Sequence, residues 1–360
     1  MAIGLPKIEI VFKQLAVSAI ERSGRGVVVL IVKDDTDKSF NMVEYKTSLE
    51  VDSAKFTAEN VQYIKDCFLG TPAKVIVVRV NVEEVSALNK AIEVIGAKNY
   101  NWIGFAEGTT EEQTALATYI KQTETDGLTK KAVVFNCATA DCMHVVNFKN
   151  AKVTFADERG EVTGDKYVAR LLGLLAGMSM NQSATYKILS DLTSVSEVAD
   201  VEEAIDAGGF CLINDDEDVR VARAVNSLKT TSSTVTEDMK KIVVVESMDI
   251  IKDDITSTFR KEYIGKYKNR YDNQVLFISA VKSYFKQLES EEILDSSYDN
   301  TVEVDVEAQR LAWTSIGKTE AESWDETTVR NNTFRSNVYL AGSIKILDAM
   351  EDLKFVITML

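Results

Sequence analysis

The chain has few of the residues on which most secreted proteins and enzymes depend. Its 360 residues include two prolines, one histidine and four cysteines. So few cysteines exclude a disulfide framework, and we expect small buried thiols made in a reducing compartment. The cysteines are Cys67, Cys137, Cys142 and Cys211.

Long apolar runs and basic runs are also missing. No apolar run approaches the roughly 20 residues of a membrane span, and the N-terminus lacks the pattern of a signal peptide. We therefore expect no membrane insertion. The formal net charge is −15, and without a basic face the chain is not expected to bind nucleic acid.

Glycine loops and metal-ligand spacings are equally scarce. The sequence has no P-loop and no Gly-x-Gly-x-x-Gly, so a phosphate-cradling loop has no candidate. Cys142 lies two residues before His144, the spacing of one strand face, but no oxyanion-hole glycine motif is nearby. An ordinary structural histidine is therefore favoured over a nucleophile pair. Cys137 and Cys142 have no second pair at zinc spacing, so we expect no metal and no cofactor.

Carboxylates at strand ends offer an enzymatic alternative. Asp35 and Asp37 follow the apolar run 27–32, and Asp215 follows the apolar run 210–214. In open α/β sheets ligands bind beyond the carboxyl ends of the strands, where such carboxylates could hold Mg²⁺ for phosphoryl transfer. The competing interpretation, which we favour, is that acidic residues make good turns. The alternative hypothesis is a Mg²⁺-dependent, phosphatase-like enzyme using Asp35, Asp37 and Asp215.

The first 230 residues alternate between strand and helix patterns. Unbroken apolar runs at 27–32 and 74–80 predict strands covered on both faces. Thr57 is a candidate N-cap, and Thr110 with Gln113 is a candidate capping box. Residues 43–51 are typical of a hairpin. The alternation predicts an α/β layer with a largely parallel sheet.

The pattern changes after residue 230. Apolar residues at three- and four-residue steps predict one long helix over about 237–268 and a second over about 276–288. Val302, Val304 and Val306 alternate as in a strand. Helices followed by strands predict a separate α+β domain.

Both ends of the chain carry strand-like apolar runs. Residues 6–13 alternate, with a glycine connector at Gly24 and Gly26 before the next strand. Residues 338–347 and 353–360 are predicted as two strands around an acidic turn, 348–352. Such a strand either completes its own sheet or is donated to another subunit. On its own pattern the C-terminal run favours the first possibility, and the second strand-like end shifts the balance towards donation.

Charge is distributed unevenly. Residues 289–307 carry eight acidic side chains and no Lys or Arg, whereas residues 1–33 are mainly basic, with Lys7 and Lys13 on the first strand. Two solvated faces or complementary surfaces between copies would both produce this pattern.

Four segments together resemble contractile phage tail sheath proteins. They are residues 4–12, 25–30, 219–230 and 348–352. The resemblance implies an α/β core domain, with a fold likened to that of subtilisin but without protease activity. It further implies an α+β C-terminal domain that faces the tail tube, and extended N- and C-terminal β-arms. The implied domains are an N-terminal arm 1–24, a core 25–230, a C-terminal domain 231–348 and a C-terminal arm 349–360.

The resemblance also implies a structural role and no enzymatic activity. The subunits would form stacked hexameric rings around a tail tube, joined by donated strands, and contraction would drive the tube through a cell envelope. Gly24 and Gly26 would be hinges. The expected partners are other copies, the tail tube protein, and the baseplate and tail terminator proteins. The particle would be a phage tail or a phage-tail-like bacteriocin, assembled in the host bacterial cytoplasm. The expected interface residues are Ile8, Ile10, Phe12, Leu353, Phe355, Val356, Ile357 and Met359.

Overall fold

The computed structural model describes residues 19–359, which divide into two compact units. Of the described residues, the sheet unit comprises 23–253 and 346–359, and the helical unit comprises 19–22 and 254–345. Among the described residues, no helix has the length and apolarity that crossing a membrane requires.

The sheet unit contains twelve strands among its described residues. The strands are β1 (Val27–Lys33), β2 (Met42–Tyr45), β3 (Lys74–Val80), β4 (Trp102–Phe105), β5 (Lys131–Phe135), β6 (Val145–Phe148), β7 (Lys152–Phe155), β8 (Glu161–Thr163), β9 (Leu192–Val195), β10 (Gly209–Phe210), β11 (Leu212–Asp215) and β12 (Asp218–Val221). The helices are α1 (Ala58–Phe68), α2 (Ala87–Ile95), α3 (Thr110–Thr125), α4 (Val168–Ala176), α5 (Val201–Asp206) and α6 (Ile242–Thr258), the last of which ends beyond the unit boundary.

Seven strands form one sheet in the order β10-β6-β5-β4-β1-β3-β2. All neighbours in it are parallel except β2, which pairs antiparallel with β3 at one edge. Smaller sheets are formed by β8-β7-β9 and by β11-β12. The structure therefore contains the largely parallel sheet that the sequence predicts.

Strand β1 lies inside this sheet, and its side chains alternate between two cores. Leu30 belongs to the core that contains Ile64 of α1 and Leu171 of α4. Ile31 belongs to the opposite core, which contains Leu88 of α2 and Leu116 of α3. Both faces of β1 are thus covered, as its unbroken apolar run predicts.

Asp34 closes the carboxyl end of β1. Its fully buried carboxylate accepts hydrogen bonds from the backbone N–H groups of Thr36 and Thr57, both at 2.8 Å, and from Asn60 Nδ2 at 2.7 Å. Burial by itself raises the pKa of Asp34, but these hydrogen bonds lower it, and the net pKa lies below its usual value. The carboxylate therefore ties β1 to the start of α1, where Thr57 is the N-cap as predicted.

Two local predictions in this unit are wrong. The capping box of α3 is formed by Thr109 and Glu112, one residue before the predicted pair. Residues 43–51 do not form a hairpin, because β2 pairs with β3 and Ser48–Glu50 is a 3₁₀ turn. Each error has a local cause: adjacent threonines compete for one cap, and the alternation continues by chance past the end of a short strand.

The helical unit has its own, smaller set of elements. They are α7 (Tyr271–Ser290), β13 (Thr301–Val304), α8 (Val306–Ser315), α9 (Glu326–Asn331) and β14 (Leu340–Ser343). Strands β13 and β14 pair antiparallel. The ring of Phe277 packs against Phe259 and Tyr263, with centroids 5.0 and 4.7 Å apart.

Two predictions in the region after residue 230 also need correction. The helix predicted over 237–268 is divided into a 3₁₀ turn at Glu237–Lys240, α6, and a π-helical turn at Phe259–Tyr263. Val306 does not continue β13 but begins α8. The Asp305 side chain accepts a hydrogen bond from the Ala308 N–H at 2.8 Å, so it caps that helix and ends the strand.

Candidate subunit interface

The acidic segment 348–352 is an anchor within the sheet unit and does not turn the chain into a second strand. Glu351 is at its centre, with only 4% of its side chain exposed. Its carboxylate accepts hydrogen bonds from Ser183 Oγ at 3.0 Å and Thr185 Oγ1 at 2.7 Å. We call residues 348–352 the acidic anchor.

Two basic side chains complete the attachment of the acidic anchor. Lys241 Nζ lies 2.5 Å from Asp348 Oδ2 and 3.2 Å from Glu351 Oε2. Arg223 Nη2 donates to Asp352 Oδ1 at 2.6 Å, and its Nη1 lies 3.7 Å from Glu351 Oε2. The hydrogen bond to Asp352 and the neighbouring carboxylates raise the pKa of Arg223 above its usual value. Opposite charges thus hold the segment at Asp348, Glu351 and Asp352.

The apolar segment, residues 353–359, begins directly after this anchor. Its described residues form no helix or strand. Phe355 and Val356 are each 76% exposed, and Ile357 is 71% exposed. The strand predicted over 353–360 is therefore not formed within the chain itself over 353–359. Large apolar side chains exposed side by side usually mark an interaction surface.

The predicted N-terminal interface precedes the described part of the chain. Ile8, Ile10 and Phe12, together with Lys7 and Lys13, lie outside the described residues. The described residues begin at Ala19. Three residues later, Arg22 Nη2 lies 2.5 Å from Glu291 Oε2 within the helical unit.

The two glycines of the connector differ in their surroundings. Gly24 has open space where a side chain would be. Gly26 has a φ of +75°, and a Cβ there would lie 3.0 Å from the Ala176 carbonyl oxygen. The Gly26 carbonyl also accepts a hydrogen bond from the Ala73 N–H at 2.9 Å. Gly26 is thus a fixed part of the sheet unit, while the surroundings of Gly24 leave it room to rotate.

Among the described residues, the sheet of the helical unit consists of the two strands β13 and β14. Ala341, Gly342 and Ser343 of β14 are exposed. An isolated two-stranded ribbon is only marginally stable in water, and its outer edges offer unpaired backbone groups. This small sheet is therefore a candidate acceptor for an additional strand.

The acidic stretch 289–307 is partly neutralised within the helical unit. Asp295 pairs with Lys345 at 2.9 Å, and Glu303 pairs with Arg330 at 3.2 Å. The neutralising cations come from positions beyond the stretch, which explains why the sequence alone shows an unbalanced run. Charge pairing with Lys7 and Lys13 of another copy stays a prediction, because both lysines lie outside the described residues.

Each aspartate of the alternative, enzymatic hypothesis is held by a partner close to it in sequence. Asp35 follows β1 of the seven-stranded sheet and lies 3.1 Å from Lys38, whereas Asp215 ends β11 in another sheet and lies 3.0 Å from Arg220 Nε. Asp37 accepts the Ser39 N–H at 2.9 Å. Among the described residues, no group of potential metal ligands includes any of the three.

Sequence reasoning missed Arg223, Lys241 and Glu351 as residues that position the interface segment. Arg223 lies 129 residues before its partner Asp352, and Lys241 lies 107 residues before Asp348. Acidic residues are common in turns, so the local pattern favoured a turn. The one available signal was the charge complementarity between segments 219–230 and 348–352, both already noted for the family resemblance.

A family model and a curated relative both match this chain. A family model described as the phage tail sheath C-terminal domain matches residues 234–359. The tail sheath protein of Clostridium phage phiCD119 is 31% identical over 366 residues, covering 99% of each chain.

Two solved structures share the fold at low sequence identity. The sheath tail protein from Desulfitobacterium hafniense is similar with a TM-score of 0.70 and 16% identity, over 83% of this chain and 94% of its own. The helical sheath of the anti-feeding prophage in its contracted state has a TM-score of 0.70 and 12% identity, over 99% of both chains. Because the similarity to the curated tail sheath protein extends over nearly the whole length of both sequences, this chain belongs to the tail sheath protein family.

Proposed function

We propose that this protein is the repeating subunit of a contractile tail sheath, and that the apolar segment 353–359 is donated to a neighbouring subunit as an added β-strand. The observation that carries the proposal is the contrast along one short stretch of chain. Residues 348–352 are fixed to the sheet unit by ion pairs, and the apolar residues that follow are exposed. An anchored base with an unpaired apolar strand is the arrangement that strand donation requires.

The energetics support such a contact. A strand making about five backbone hydrogen bonds gains about 0.5–1.5 kcal/mol net for each. Burial of Phe355, Val356 or Ile357 adds about 1.5–3 kcal/mol per side chain. Association entropy offsets much of this for one pair of subunits. Repetition of the contact through a lattice makes the assembly durable without requiring any single strong interface.

The acceptor that we propose is the β13–β14 sheet of another copy. A third strand would satisfy backbone groups along one of its edges and would raise the stability of an otherwise marginal ribbon. The N-terminal run, with Ile8, Ile10 and Phe12, is proposed as a second donated strand. Each subunit would then both give and receive strands, so the contacts propagate into stacked hexameric rings.

The proposed contraction moves nearly rigid subunits while the donated strands stay paired. The core of each subunit would act as a rigid body without enzymatic activity. Its fold would be the one that, in this family, is likened to that of subtilisin. Gly24 would supply bending in the N-terminal connector, and Gly26 would fix the point at which the connector joins β1. The further partners would be the tail tube, baseplate and tail terminator proteins. The particle would be a phage tail or a phage-tail-like bacteriocin assembled in the bacterial cytoplasm.

Removal of residues 353–360 tests the proposal directly. The truncated protein ends at Asp352 and so retains the acidic anchor. We expect it to fold with an unchanged melting temperature and to remain unassembled when viewed by negative-stain electron microscopy. A full-length variant carrying Leu311→Ser is the matched control, because Leu311 is a 68% exposed apolar residue on α8, far from the segment in sequence. Normal tubes from the truncated protein would refute strand donation by this segment.

A second experiment separates strand donation from a general loss of hydrophobicity. A synthetic peptide with the sequence of residues 353–360 should inhibit assembly of the full-length protein in proportion to its concentration. A peptide with the same composition in scrambled order should inhibit much less, because its alternate side chains no longer match the acceptor. Equal inhibition by both peptides would contradict a specific strand register.

A further inference from the structure

A mixed set of potential metal ligands lies in the sheet unit, away from the interface segment. Cys142 and His144 belong to the loop before β6, and Glu124 belongs to the last turn of α3. The Cys142 thiol and the His144 ring are buried, and one third of the Glu124 side chain is exposed. One ligand atom from each of the three residues lies within 4.8 Å of the others.

Glu124 Oε2 is the point at which the set converges. It lies 2.6 Å from His144 Nδ1 and 3.1 Å from Cys142 Sγ. Tetrahedral zinc bonds of the usual lengths separate nitrogen, sulfur and oxygen ligands from one another by about 3.4–3.6 Å. The ligand atoms would therefore need to separate by less than about 1 Å to admit the ion. The exposed part of Glu124 provides a route from solvent.

The other nitrogen of the His144 ring already has the partner that a metal-bound histidine usually has. Nε2 lies 3.0 Å from Asp249 Oδ1 on α6, and the second oxygen of Asp249 lies 2.5 Å from Lys131 Nζ. A carboxylate that accepts the second ring N–H orients a metal-bound imidazole and strengthens it as a ligand. Asp249 would thus be a positioning residue and would not itself bind the ion.

Charge balance permits the exchange of protons for a divalent ion. In the absence of metal, both ring nitrogens of His144 lie within hydrogen-bond distance of a carboxylate oxygen, an arrangement in which both nitrogens donate and the ring is cationic. His144 and Lys131 then balance Glu124 and Asp249. A bound Zn²⁺ would displace one proton from the His144 ring and one from the Cys142 thiol, both released to solvent. Two positive charges would replace two protons, and the net charge of this buried cluster would not change.

We propose that Glu124, Cys142 and His144 form a binding site for Zn²⁺ or a chemically similar divalent ion, with the fourth position filled by water or the second Glu124 oxygen. The ion would connect α3 to the loop before β6 and, through Asp249, to the middle of α6. These elements are otherwise joined by hydrogen bonds and packing. The site would therefore stiffen the sheet unit, and it is independent of the strand donation proposed above.

Cobalt titration of the full-length protein tests the site, because Co²⁺ bound by a thiolate in tetrahedral geometry has intense visible bands and a sulfur-to-metal charge-transfer band. We expect both features with the native protein at one ion per chain, and their loss on addition of Zn²⁺. Zn²⁺ alone should also raise the melting temperature. Absence of the bands together with an unchanged melting temperature in Zn²⁺ would overturn the proposal.

Three variants locate the ion. Cys142→Ser should abolish the charge-transfer band, and Glu124→Gln, at a partly exposed position, should weaken Zn²⁺ binding while the protein stays folded. Asp249→Asn should weaken it by about 10–100-fold, as is typical when the partner of a metal-bound histidine is removed. Cys137→Ser is the matched control, since Cys137 is equally buried but is not among the ligands. Unchanged cobalt spectra and Zn²⁺ affinity in both Cys142→Ser and Glu124→Gln would place the ion elsewhere and refute the assignment.

Discussion

Strand β1 and the apolar segment 353–359 are both rich in apolar residues that favour extended structure, but their environments are opposite. The first is Val-Val-Val-Leu-Ile-Val-Lys and the second is Leu-Lys-Phe-Val-Ile-Thr-Met. Strand β1 is paired on both sides, by β3 and β4, and its central residues are buried. The apolar segment has no partner among the described residues and is exposed throughout. Local preference for extended structure is therefore insufficient, because a strand also needs neighbours that satisfy its backbone and cover its side chains.

The largest expected difference between the two segments comes from the same substitution in each. Ile31 is 1% exposed and Ile357 is 71% exposed. Ile31→Ala should lower the free energy of unfolding of the monomer by about 2–5 kcal/mol, because it leaves a cavity in a packed core. Ile357→Ala should leave that free energy unchanged and should raise the protein concentration needed for assembly. Chemical denaturation and sedimentation measure the two effects. Loss of monomer stability in Ile357→Ala would show that the segment packs on its own subunit.

The glycines before β1 provide a second comparison, of a fixed and an unconstrained position. Gly26→Ala should destabilise the monomer by about 1–3 kcal/mol, since a residue with a side chain is strained at positive φ and would also crowd the Ala176 carbonyl. Gly24→Ala should change stability by less than about 0.5 kcal/mol, as at most surface positions. Thermal unfolding of both variants provides the measurement. Equal destabilisation would mean that Gly24 is as constrained as Gly26.

Glu351→Gln tests whether the charge of this carboxylate holds the acidic anchor on the sheet unit. The amide preserves the shape of the side chain but removes the charge facing Lys241 and Arg223. We expect the free energy of unfolding to fall by only about 0.5–1.5 kcal/mol, because both cations are partly exposed and retain other carboxylate partners. Amide hydrogen exchange should accelerate at residues 348–352, and assembly should become less cooperative. Glu158→Gln, at an exposed position, is the control. Unchanged exchange at 348–352 would contradict the anchoring role.

The smallest expected effect is a change in how the free energy of unfolding depends on pH in acid solution. Asp34 has a lowered pKa in the folded protein, so it binds its proton more readily when unfolded. Its contribution to stability is fully present above the ordinary aspartate pKa of about 3.9 and is lost as the pH falls below it. Asp34→Asn should therefore reduce the slope of unfolding free energy against pH below about pH 4. The exposed Asp206→Asn variant should retain the native slope. Identical slopes of unfolding free energy against pH in the native protein and both variants would show that Asp34 does not contribute to the loss of stability in acid.

The outcome of sequence analysis depended on how local each signal was. The Thr57 cap of α1 was predicted correctly, because the capping side chain and the backbone group that it accepts from are three residues apart. The cap of α3 was placed one residue too late, since Thr109 and Thr110 are both suitable and only the backbone conformation selects between them. Val306 was assigned to a strand because a period of two continued past Val304, although Asp305 is a good helix cap.

The candidate interface was predicted only in part for the same reason. The apolar residues of 353–359 were recognisable from composition, and the family resemblance suggested their role. Their anchor was not recognisable, because Arg223 and Lys241 reach the acidic residues across more than a hundred positions of sequence. The sequence analysis considered Cys142 together with His144, but it missed Glu124 and Asp249, since they lie 20 and 105 residues away from His144.

The sequence by itself determined which stretches of the sheet unit favour strand or helix, where α1 begins, and that the C-terminal residues are apolar and prone to extended structure. These properties depend on neighbouring residues and on side-chain chemistry. Only the tertiary structure decided which extended stretch obtains partner strands and which remains exposed. That choice depends on backbone pairing and ion pairs between distant segments, which form only when the chain is folded.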